Sequence, residues 1–366
     1  MKKELKSKII LEKSKQIAQA CRGDACAICV KDCLMLDEFM QSPKTFFNSY
    51  IENQIVDPLL PFSCTQCGHC EKICPEGIKV YEIFDEMKKE LQITSGFRPV
   101  LKSHYSVYLH QSFSQTKLVK GSSKGEYRRA FMPGCSLSAY SPILVEKTFE
   151  YLKSIDPIIG SITNCCSKPL QDLGHQKSFS NQMNKFIDEV SSKGIHEIIV
   201  GCQNCYDTLK KEYPEITIKT IWHFFDEEGL PEISKKNRLL NKSYVIHDPC
   251  PVDSSPEIKE SIRRIIKKLG CEIKNDNSDL FSKCCGLGAM VGVSNLPLSK
   301  KITHQRIKEL NNQSVINYCA ACTEVMGQGN QKSYHLLELI FNTPVNKKKS
   351  TLKKWLNRCI TKQKIT

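Results

Sequence analysis

The stretch 64–75 constrains this chain most, because it holds four cysteines and a proline at short, fixed spacings. Two, two and three residues separate Cys64, Cys67, Cys70 and Cys74, and Pro75 follows directly. Gaps of two residues let successive sulfur atoms converge on one centre from a tight turn, whereas the proline turns the fourth sulfur away. In this spacing three thiolates hold one cubane iron–sulfur cluster, and the fourth thiolate reaches a second cluster.

A less regular run of cysteines precedes this stretch: Cys21, Cys26, Cys29 and Cys33. Its last two gaps repeat the spacing of two and three residues, but its first gap has four residues and Leu34 replaces the proline. The two runs together resemble a two-cluster ferredoxin, in which the runs exchange their fourth ligands. We therefore expect two cubane [4Fe–4S] clusters, one on Cys21, Cys26, Cys29 and Cys74, and the other on Cys33, Cys64, Cys67 and Cys70.

Two residues of these runs have uncertain roles from the sequence alone. The wide first gap makes Cys21 the weakest of the eight candidate ligands. The alternative is a three-cysteine set that starts at Cys26. His69, inside the regular run, is expected to be an exposed loop residue rather than a ligand.

The number and setting of the cysteines indicate redox chemistry. The chain has 20 cysteines in 366 residues. We expect a cytoplasmic protein, because no window approaches eighteen uncharged apolar residues and no signal core follows the lysine-rich N-terminus. In a reducing compartment such a density of cysteines indicates metal or redox sites rather than disulfides.

The formal net charge of +14 does not indicate a nucleic-acid partner. A cubane cluster with its four thiolates carries roughly −2, so two clusters lower the total to about +10. Much of the remaining excess lies near the two termini, and no basic stretch is interleaved with aromatic residues. We therefore expect no nucleic-acid binding.

The apolar patterns predict an α+β protein with a helical N-terminal part. Residues 1–95 should form an α-helical ferredoxin-type domain, with helices at 2–20, inside 35–60 and at 80–91. Residues 96–125 show little periodicity and are predicted to be a linker. The basic tail 346–366 has an apolar stripe, for which two alternatives remain: weak docking on its own domain, or weak association with a membrane surface, peripheral on its inner face.

Between the linker and the tail, short apolar strands alternate with amphipathic helices, and the pattern repeats. This alternation predicts a duplicated α/β (Rossmann-like) domain with a mainly parallel sheet, divided into residues 126–235 and 236–345. Each copy has a lone cysteine, an adjacent pair and a C-x-x-C. The two sets are Cys135, Cys165, Cys166, Cys202 and Cys205, then Cys250, Cys284, Cys285, Cys319 and Cys322. Each cysteine of the first set recurs 115–119 residues later, which indicates an internal duplication.

These cysteines follow the predicted strands directly, so they should lie at the carboxyl ends of the sheet, where open α/β sheets bind ligands. Five thiolates exceed what one cubane cluster uses. Adjacent cysteines point in different directions, so a pair can grip two sides of a distorted or larger cluster. The alternative is a redox-active dithiol at each C-x-x-C and buried packing of each pair.

The duplicated pattern resembles the cysteine-rich CCG domain of the heterodisulfide reductase catalytic subunit. The motifs P-G-C-S at 133–136 and H-D-P-C at 247–250 are also similar to that family. The ferredoxin-type runs resemble the family's electron-transfer subunit, as in forms that fuse the two subunits. One departure is that Ser167 follows the first pair where the family has glycine. We expect this change to keep every ligand and to tighten the backbone.

The resemblance implies that all ten repeated cysteines are catalytic cluster ligands, holding one or two noncubane [4Fe–4S] clusters that cleave a disulfide. It also implies a flavoprotein that donates electrons. His247 and Lys168 are candidates for donating protons or holding an anionic substrate, against the alternative of surface or capping residues. Cys271 and Cys359 have no counterparts and stay unassigned.

Three hypotheses follow for the function. The first is an iron–sulfur oxidoreductase, a disulfide reductase-like subunit that works within a complex. The second is an electron-transfer subunit of a lactate, glycolate or glycerol-3-phosphate type of dehydrogenase complex that passes electrons to quinone. The third is a cysteine-rich zinc-binding or regulatory protein.

Overall fold

The computed structural model describes residues 2–96, 98–232, 237–274, 282–311, 313–328 and 331–366. The chain forms two compact units. Unit 1 comprises residues 1–110, 169–180 and 283–306. Unit 2 comprises residues 111–168, 181–282 and 307–366. The domain boundaries expected from the sequence stay a prediction.

Helices make up most of the regular structure. In the described residues the α-helices are α1 (Lys8–Ala20), α2 (Ile28–Lys31), α3 (Leu34–Phe39), α4 (Pro43–Asn53), α5 (Leu59–Ser63), α6 (His69–Lys72), α7 (Val80–Thr94), α8 (Tyr105–Ser114), α9 (Gly134–Tyr140), α10 (Pro142–Ile155), α11 (Lys168–Asp172), α12 (Gln176–Ser192), α13 (Gln203–Glu212), α14 (Ile221–Glu227), α15 (Pro256–Lys268), α16 (Val291–Ser294), α17 (Leu296–Glu309), α18 (Ala320–Gln328), α19 (Leu336–Ile340) and α20 (Thr351–Ile365). The predicted helix at 80–91 is confirmed as α7, and the predicted helix at 2–20 is confirmed as α1, although α1 begins only at Lys8.

The strands are short. They are β1 (Lys3–Glu4), β2 (Ile55–Val56), β3 (Arg129–Met132), β4 (Gly160–Ser161), β5 (Glu197–Val200), β6 (Thr217–Thr220), β7 (Ser243–His247), β8 (Glu272–Ile273), β9 (Val315–Asn317) and β10 (Ser333–His335). Strands β1 and β2 pair antiparallel in unit 1. All the other strands belong to unit 2.

Unit 1 is built on helices that bury one apolar face each. Helix α1 packs against α4 and α7. Helix α7 packs through one apolar face, because Ile83, Phe84 and Met87 are fully buried in the core of this unit. Leu298 of α17 belongs to the same core, and the Asn295 side chain donates a 2.9 Å hydrogen bond to Ser63. The segment after the second cysteine pair is therefore folded into the ferredoxin-type unit.

Unit 2 contains two four-stranded sheets of the same design. Their strand orders are β4-β3-β5-β6 and β8-β7-β9-β10, and every neighbouring pair is parallel. The match of order and direction confirms the duplication and the parallel α/β fold. Because parallel strands end at one edge, the turns that follow β3 and β5 bring their cysteines to the same edge of the first sheet.

The linker prediction for 96–125 is wrong in part, because α8 and a 3-10 turn at Lys102–His104 lie inside it. Helix α8 buries the polar side chains Gln111 and Ser114, each only 2% exposed. Polar residues on a buried face hide the apolar periodicity that reveals a helix in sequence.

The basic tail contains helix α20, which packs on α9 and α10 of its own unit. Docking on its own domain is therefore confirmed, and Trp355 of the apolar stripe takes part in it, because its ring packs edge-to-face on Phe113 with the ring centroids 4.3 Å apart. Asn357, Thr361 and Ile365 are buried, whereas Leu352 and Leu356 are 69% and 49% exposed. Among the residues described, no helix combines the length and the apolar character that crossing a bilayer requires.

Candidate metal centres

The first ferredoxin-type group lies in unit 1 and brings together cysteines from both runs. One cavity is lined by four cysteines, namely Cys21, Cys26, Cys29 and Cys74. Burial raises the pKa of the Cys29 thiol to about 11, with a smaller contribution from the nearby Cys21 and Cys74. The Arg22 guanidinium beside this cavity forms an ion pair with Glu76 at 2.6 Å.

The second ferredoxin-type group also combines the two runs. Cys70 interacts electrostatically with the thiols of Cys64, Cys67 and Cys33. Burial raises the pKa of Cys64 to about 12 and that of Cys67 to about 11. The structure therefore groups the eight cysteines in the two crossed sets that the spacing predicts, while their ligation stays a prediction.

The donor atoms of both groups suit iron–sulfur clusters. Each group offers four sulfur atoms at a partly or fully buried position. Burial raises the pKa of Cys29 in the first group and of Cys64 and Cys67 in the second, so a cation must compensate for the burial of these thiolates. Soft thiolate ligands select iron–sulfur clusters or zinc, and the exchange of the fourth cysteine is the ferredoxin pattern.

The expectation that His69 is exposed is wrong. Its side chain is 11% exposed, and its Nε2 atom lies 2.5 Å from Asp32 Oδ2. Lys283 donates to the other oxygen of the same carboxylate at 3.1 Å. Burial raises the pKa of Asp32, but the hydrogen bonds from His69 and Lys283 outweigh it and lower the pKa overall.

The first five-cysteine set converges entirely within unit 2. The Cys166 sulfur is hydrogen-bonded to Cys165 and Cys205, and these bonds lower the pKa of Cys166 to about 6. Cys165 also reaches Cys135, and Cys205 also reaches Cys202. Five sulfur atoms thus form one continuous group, which is more thiolate than a single cubane cluster needs.

Two glycines allow this convergence. Gly134 has φ +77°, and a Cβ atom there would lie 2.9 Å from Cys202 Cβ and 3.2 Å from Cys205 Sγ. A Cβ atom at Gly201 would lie 2.8 Å from the Pro133 carbonyl oxygen. The turn after β3 and the turn after β5 therefore lie closer together than a side chain at Gly134 or Gly201 would allow.

Ser167, the departure from the family pattern, keeps the left-handed backbone that glycine favours, with φ +56°. Its amide donates to Cys165 Sγ at 3.4 Å, as the Gly286 amide does to Cys284 Sγ at 3.3 Å. Its hydroxyl donates to Gln182 Oε1 at 2.6 Å. The serine therefore preserves the backbone geometry of the pair and adds one side-chain contact.

The sequence analysis missed two polar side chains at the first set. Gln111 of α8 donates to Cys165 Sγ at 3.8 Å, and Arg358 of α20 donates from Nε to the Cys135 carbonyl at 3.2 Å. Hydrogen bonds and charges around cluster sulfurs set their reduction potential. Both residues come from segments assigned to a linker and a tail, where no local pattern marks them.

Asp207 lies two residues after Cys205, on α13. Burial raises its pKa to about 7, against the opposing effects of the Gln203 hydrogen bond and the Lys168 and Lys210 charges. Lys168 therefore has an electrostatic partner at the cysteine edge of the sheet.

The second five-cysteine set is divided between the units. Cys250, Cys319 and Cys322 belong to unit 2, and Cys284 and Cys285 belong to unit 1, so their convergence stays a prediction. In unit 2, the His247 ring lies within 4.8 Å of the Cys322 sulfur. His247 is completely buried at the end of β7, so the alternative of a surface residue is wrong.

Comparison with known proteins defines the class of the chain. A 4Fe-4S dicluster domain family matches residues 20–79, and a cysteine-rich domain family, CCG, matches residues 130–210 and 244–327. The chain is thus an iron–sulfur protein with one dicluster domain and two CCG domains. The predicted [4Fe–4S] clusters are confirmed at the level of these domain families, which speaks against the zinc-binding hypothesis.

Several curated proteins are similar over most of this chain. A subunit of the fumarate reductase (CoM/CoB) of Methanothermobacter marburgensis is 24% identical over 86% of this chain and 70% of its own. A subunit of the dihydromethanophenazine:CoB–CoM heterodisulfide reductase of Methanosarcina acetivorans is 21% identical over 71% of this chain and 69% of its own. EtfAB:quinone oxidoreductase of Syntrophomonas wolfei is 21% identical over 73% of this chain and 43% of its own.

These relatives confirm the resemblance and the oxidoreductase class predicted from the sequence. The chain carries both kinds of cysteine-rich domain, and it is similar to the heterodisulfide reductase subunit and to the other oxidoreductases. The names of two of the relatives describe subunits, so proteins of this kind work with partner subunits.

Proposed function

We propose that this chain is the disulfide-reducing subunit of an iron–sulfur oxidoreductase complex in the cytoplasm. The observation that carries the proposal is the convergence of five sulfur atoms in unit 2, at the carboxyl edge of a parallel sheet. A chain that only transported electrons would have no need of more thiolates than a cubane cluster uses.

The residues divide into an inlet and a reaction site. Cys21, Cys26, Cys29 and Cys74, and Cys33, Cys64, Cys67 and Cys70, hold two cubane clusters that receive electrons from a flavoprotein partner. The repeated cysteines are the ligands of one or two noncubane clusters. When bound, such clusters supply single electrons and an iron atom that can bind a thiolate.

Disulfide reduction requires protons as well as electrons, and residues of this chain must supply or pass on the protons. Reducing one disulfide takes two electrons and two protons and yields two thiols. The candidates for donating protons or holding an anionic substrate are Lys168, two residues after Cys166, and the buried His247, near Cys322. Arg358 donates a hydrogen bond to the Cys135 carbonyl and so brings a positive charge to the loop that carries Cys135.

The experiment is iron quantification and EPR spectroscopy on the protein prepared without oxygen. We expect about twelve irons with one noncubane cluster or about sixteen with two, and a signal that changes when disulfide or thiol is added. As a control, the Cys166→Ser variant should lose that response and keep the signals of the ferredoxin-type clusters. Full iron content with no response to disulfide or thiol would refute the proposal.

A second candidate is electron transfer to quinone, favoured by the similarity to EtfAB:quinone oxidoreductase. The exposed Leu352 and Leu356 lie among lysines on α20, a pattern suited to weak contact with the inner face of an anionic membrane. Co-sedimentation with anionic lipid vesicles, together with spectra that quinone changes and disulfide does not, would favour this candidate.

A further inference from the structure

Three cysteine-bearing loops of unit 1 meet at one carboxylate. Asp32 precedes Cys33, His69 precedes Cys70, and Lys283 precedes Cys284. The Asp32 carboxylate lies 2.5 Å from His69 Nε2 through one oxygen and 3.1 Å from Lys283 Nζ through the other. This single side chain therefore contacts residues 37 and 251 positions away in the sequence.

The second cysteine pair lies beside the ferredoxin-type cysteines. Cys284 interacts electrostatically with Cys33 and Cys67. A Cβ atom at Gly288 would lie 2.4 Å from the Thr65 carbonyl oxygen and 3.2 Å from Cys284 Sγ. The loop that begins at Lys283 is thus pressed against the turn between Cys64 and Cys67.

We propose that Asp32 is a positioning residue that fixes the Lys283–Cys284 loop against the set of Cys33, Cys64, Cys67 and Cys70. The inference rests on the proposed function, and it makes the second CCG copy the one whose pair adjoins the electron inlet. Asp32 acts through Lys283 and His69, which hold the backbones that carry Cys284 and Cys70.

The geometry explains why a carboxylate is needed. The two oxygens of the Asp32 carboxylate accept hydrogen bonds from two donors at once. The side chain can therefore join the His69 loop and the Lys283 loop, while Asp32 itself directly precedes Cys33. The side chains of Asp32 and Lys283 are 38% and 32% exposed, so solvent partly screens their charges. Their effect on a nearby cluster should therefore weaken as the salt concentration rises.

The test compares Asp32→Asn, Lys283→Met and the double variant in the complete, cluster-loaded protein. Glu38→Gln is the matched control, because Glu38 forms a 3.2 Å ion pair with Lys301 that joins the same two segments without flanking a cysteine. EPR redox titration without disulfide gives the midpoint potential of the ferredoxin-type signals, and iron analysis gives cluster content.

We expect Asp32→Asn to move one midpoint to more positive values, because a negative charge is lost beside Cys33. Lys283→Met should move it the other way, and the double variant should lie near the wild type. These shifts should shrink in high salt, and Glu38→Gln should cause none. Rapid-freeze EPR after reduction should also show about tenfold slower appearance of the CCG signal in both Asp32→Asn and Lys283→Met, because each variant removes one partner of the contact that positions the loop.

Appearance of the CCG signal at the Glu38→Gln rate in both Asp32→Asn and Lys283→Met would overturn the proposal, because the loop would then keep its position without the contact between these two residues. If Asp32→Asn loses iron, the result for Lys283→Met decides whether the proposal holds, because this variant leaves the Asp32 carboxylate and its contact with His69 in place. The midpoints are measured without substrate, so a failure to respond to disulfide refutes the proposed function alone.

Discussion

The close approach of Gly134 to Cys202 at the first five-cysteine set gives the sharpest prediction, the effect of Gly134→Ala. At φ +77° a non-glycine residue costs about 1–2 kcal/mol. The added Cβ atom would also lie 2.9 Å from Cys202 Cβ, and overpacking of this kind costs about 1–3 kcal/mol. We therefore expect a total loss of about 2–5 kcal/mol in the free energy of unfolding, with loss of iron from unit 2.

Gly194→Ala is the matched control. Gly194 has a similar φ of +68°, but no atom of the described residues lies within 4 Å of a Cβ atom there. It should lose only the backbone contribution, about 1–2 kcal/mol, and keep its iron. Urea unfolding followed by tryptophan fluorescence, with iron analysis of each variant, measures both effects. Equal losses of stability in the two variants, with full iron content in Gly134→Ala, would refute the steric reasoning.

Two further predictions concern a sulfur contact and pH. Gln111→Leu removes a hydrogen-bond donor to Cys165, so it should move the midpoint potential of the first CCG signal to more negative values in an EPR titration. The control Gln115→Leu loses only a contact with Gln182 and should leave that midpoint unchanged. Burial lowers the pKa of His335 to about 3, below its ordinary value of 6.5, so protons bind the unfolded state preferentially and stability falls as the pH drops. The loss should be about 2 kcal/mol between pH 7 and pH 5, and His335→Asn, which keeps a helix-capping side chain, should abolish it in urea unfolding at both pH values.

The grouping of the ferredoxin-type cysteines could be predicted in full, because their spacing reflects how a short turn presents sulfur atoms. The crossed grouping of Cys33 and Cys74, and the parallel order of the duplicated strands, both follow from patterns a few residues long. Contacts between distant segments could not be predicted. Arg358 reaches Cys135 across 223 residues, and the His69 ring lies 2.5 Å from a carboxylate oxygen of Asp32, 37 residues away.

The steric surroundings of the two pairs explain why the family's glycine is missing after the first pair rather than after the second. At Gly286, with φ +99°, a Cβ atom would lie 2.5 Å from Thr303 Oγ1 and 2.6 Å from the Ser299 carbonyl oxygen. No side chain fits there without displacing backbone of α17. At Ser167 the φ of +56° lies in the left-handed region that non-glycine residues enter at modest strain, and its hydroxyl has an acceptor in Gln182. Glycine is thus required after the pair Cys284–Cys285, which is folded into the ferredoxin-type unit, because the loop that follows this pair is held between α17 and the Cys64 turn.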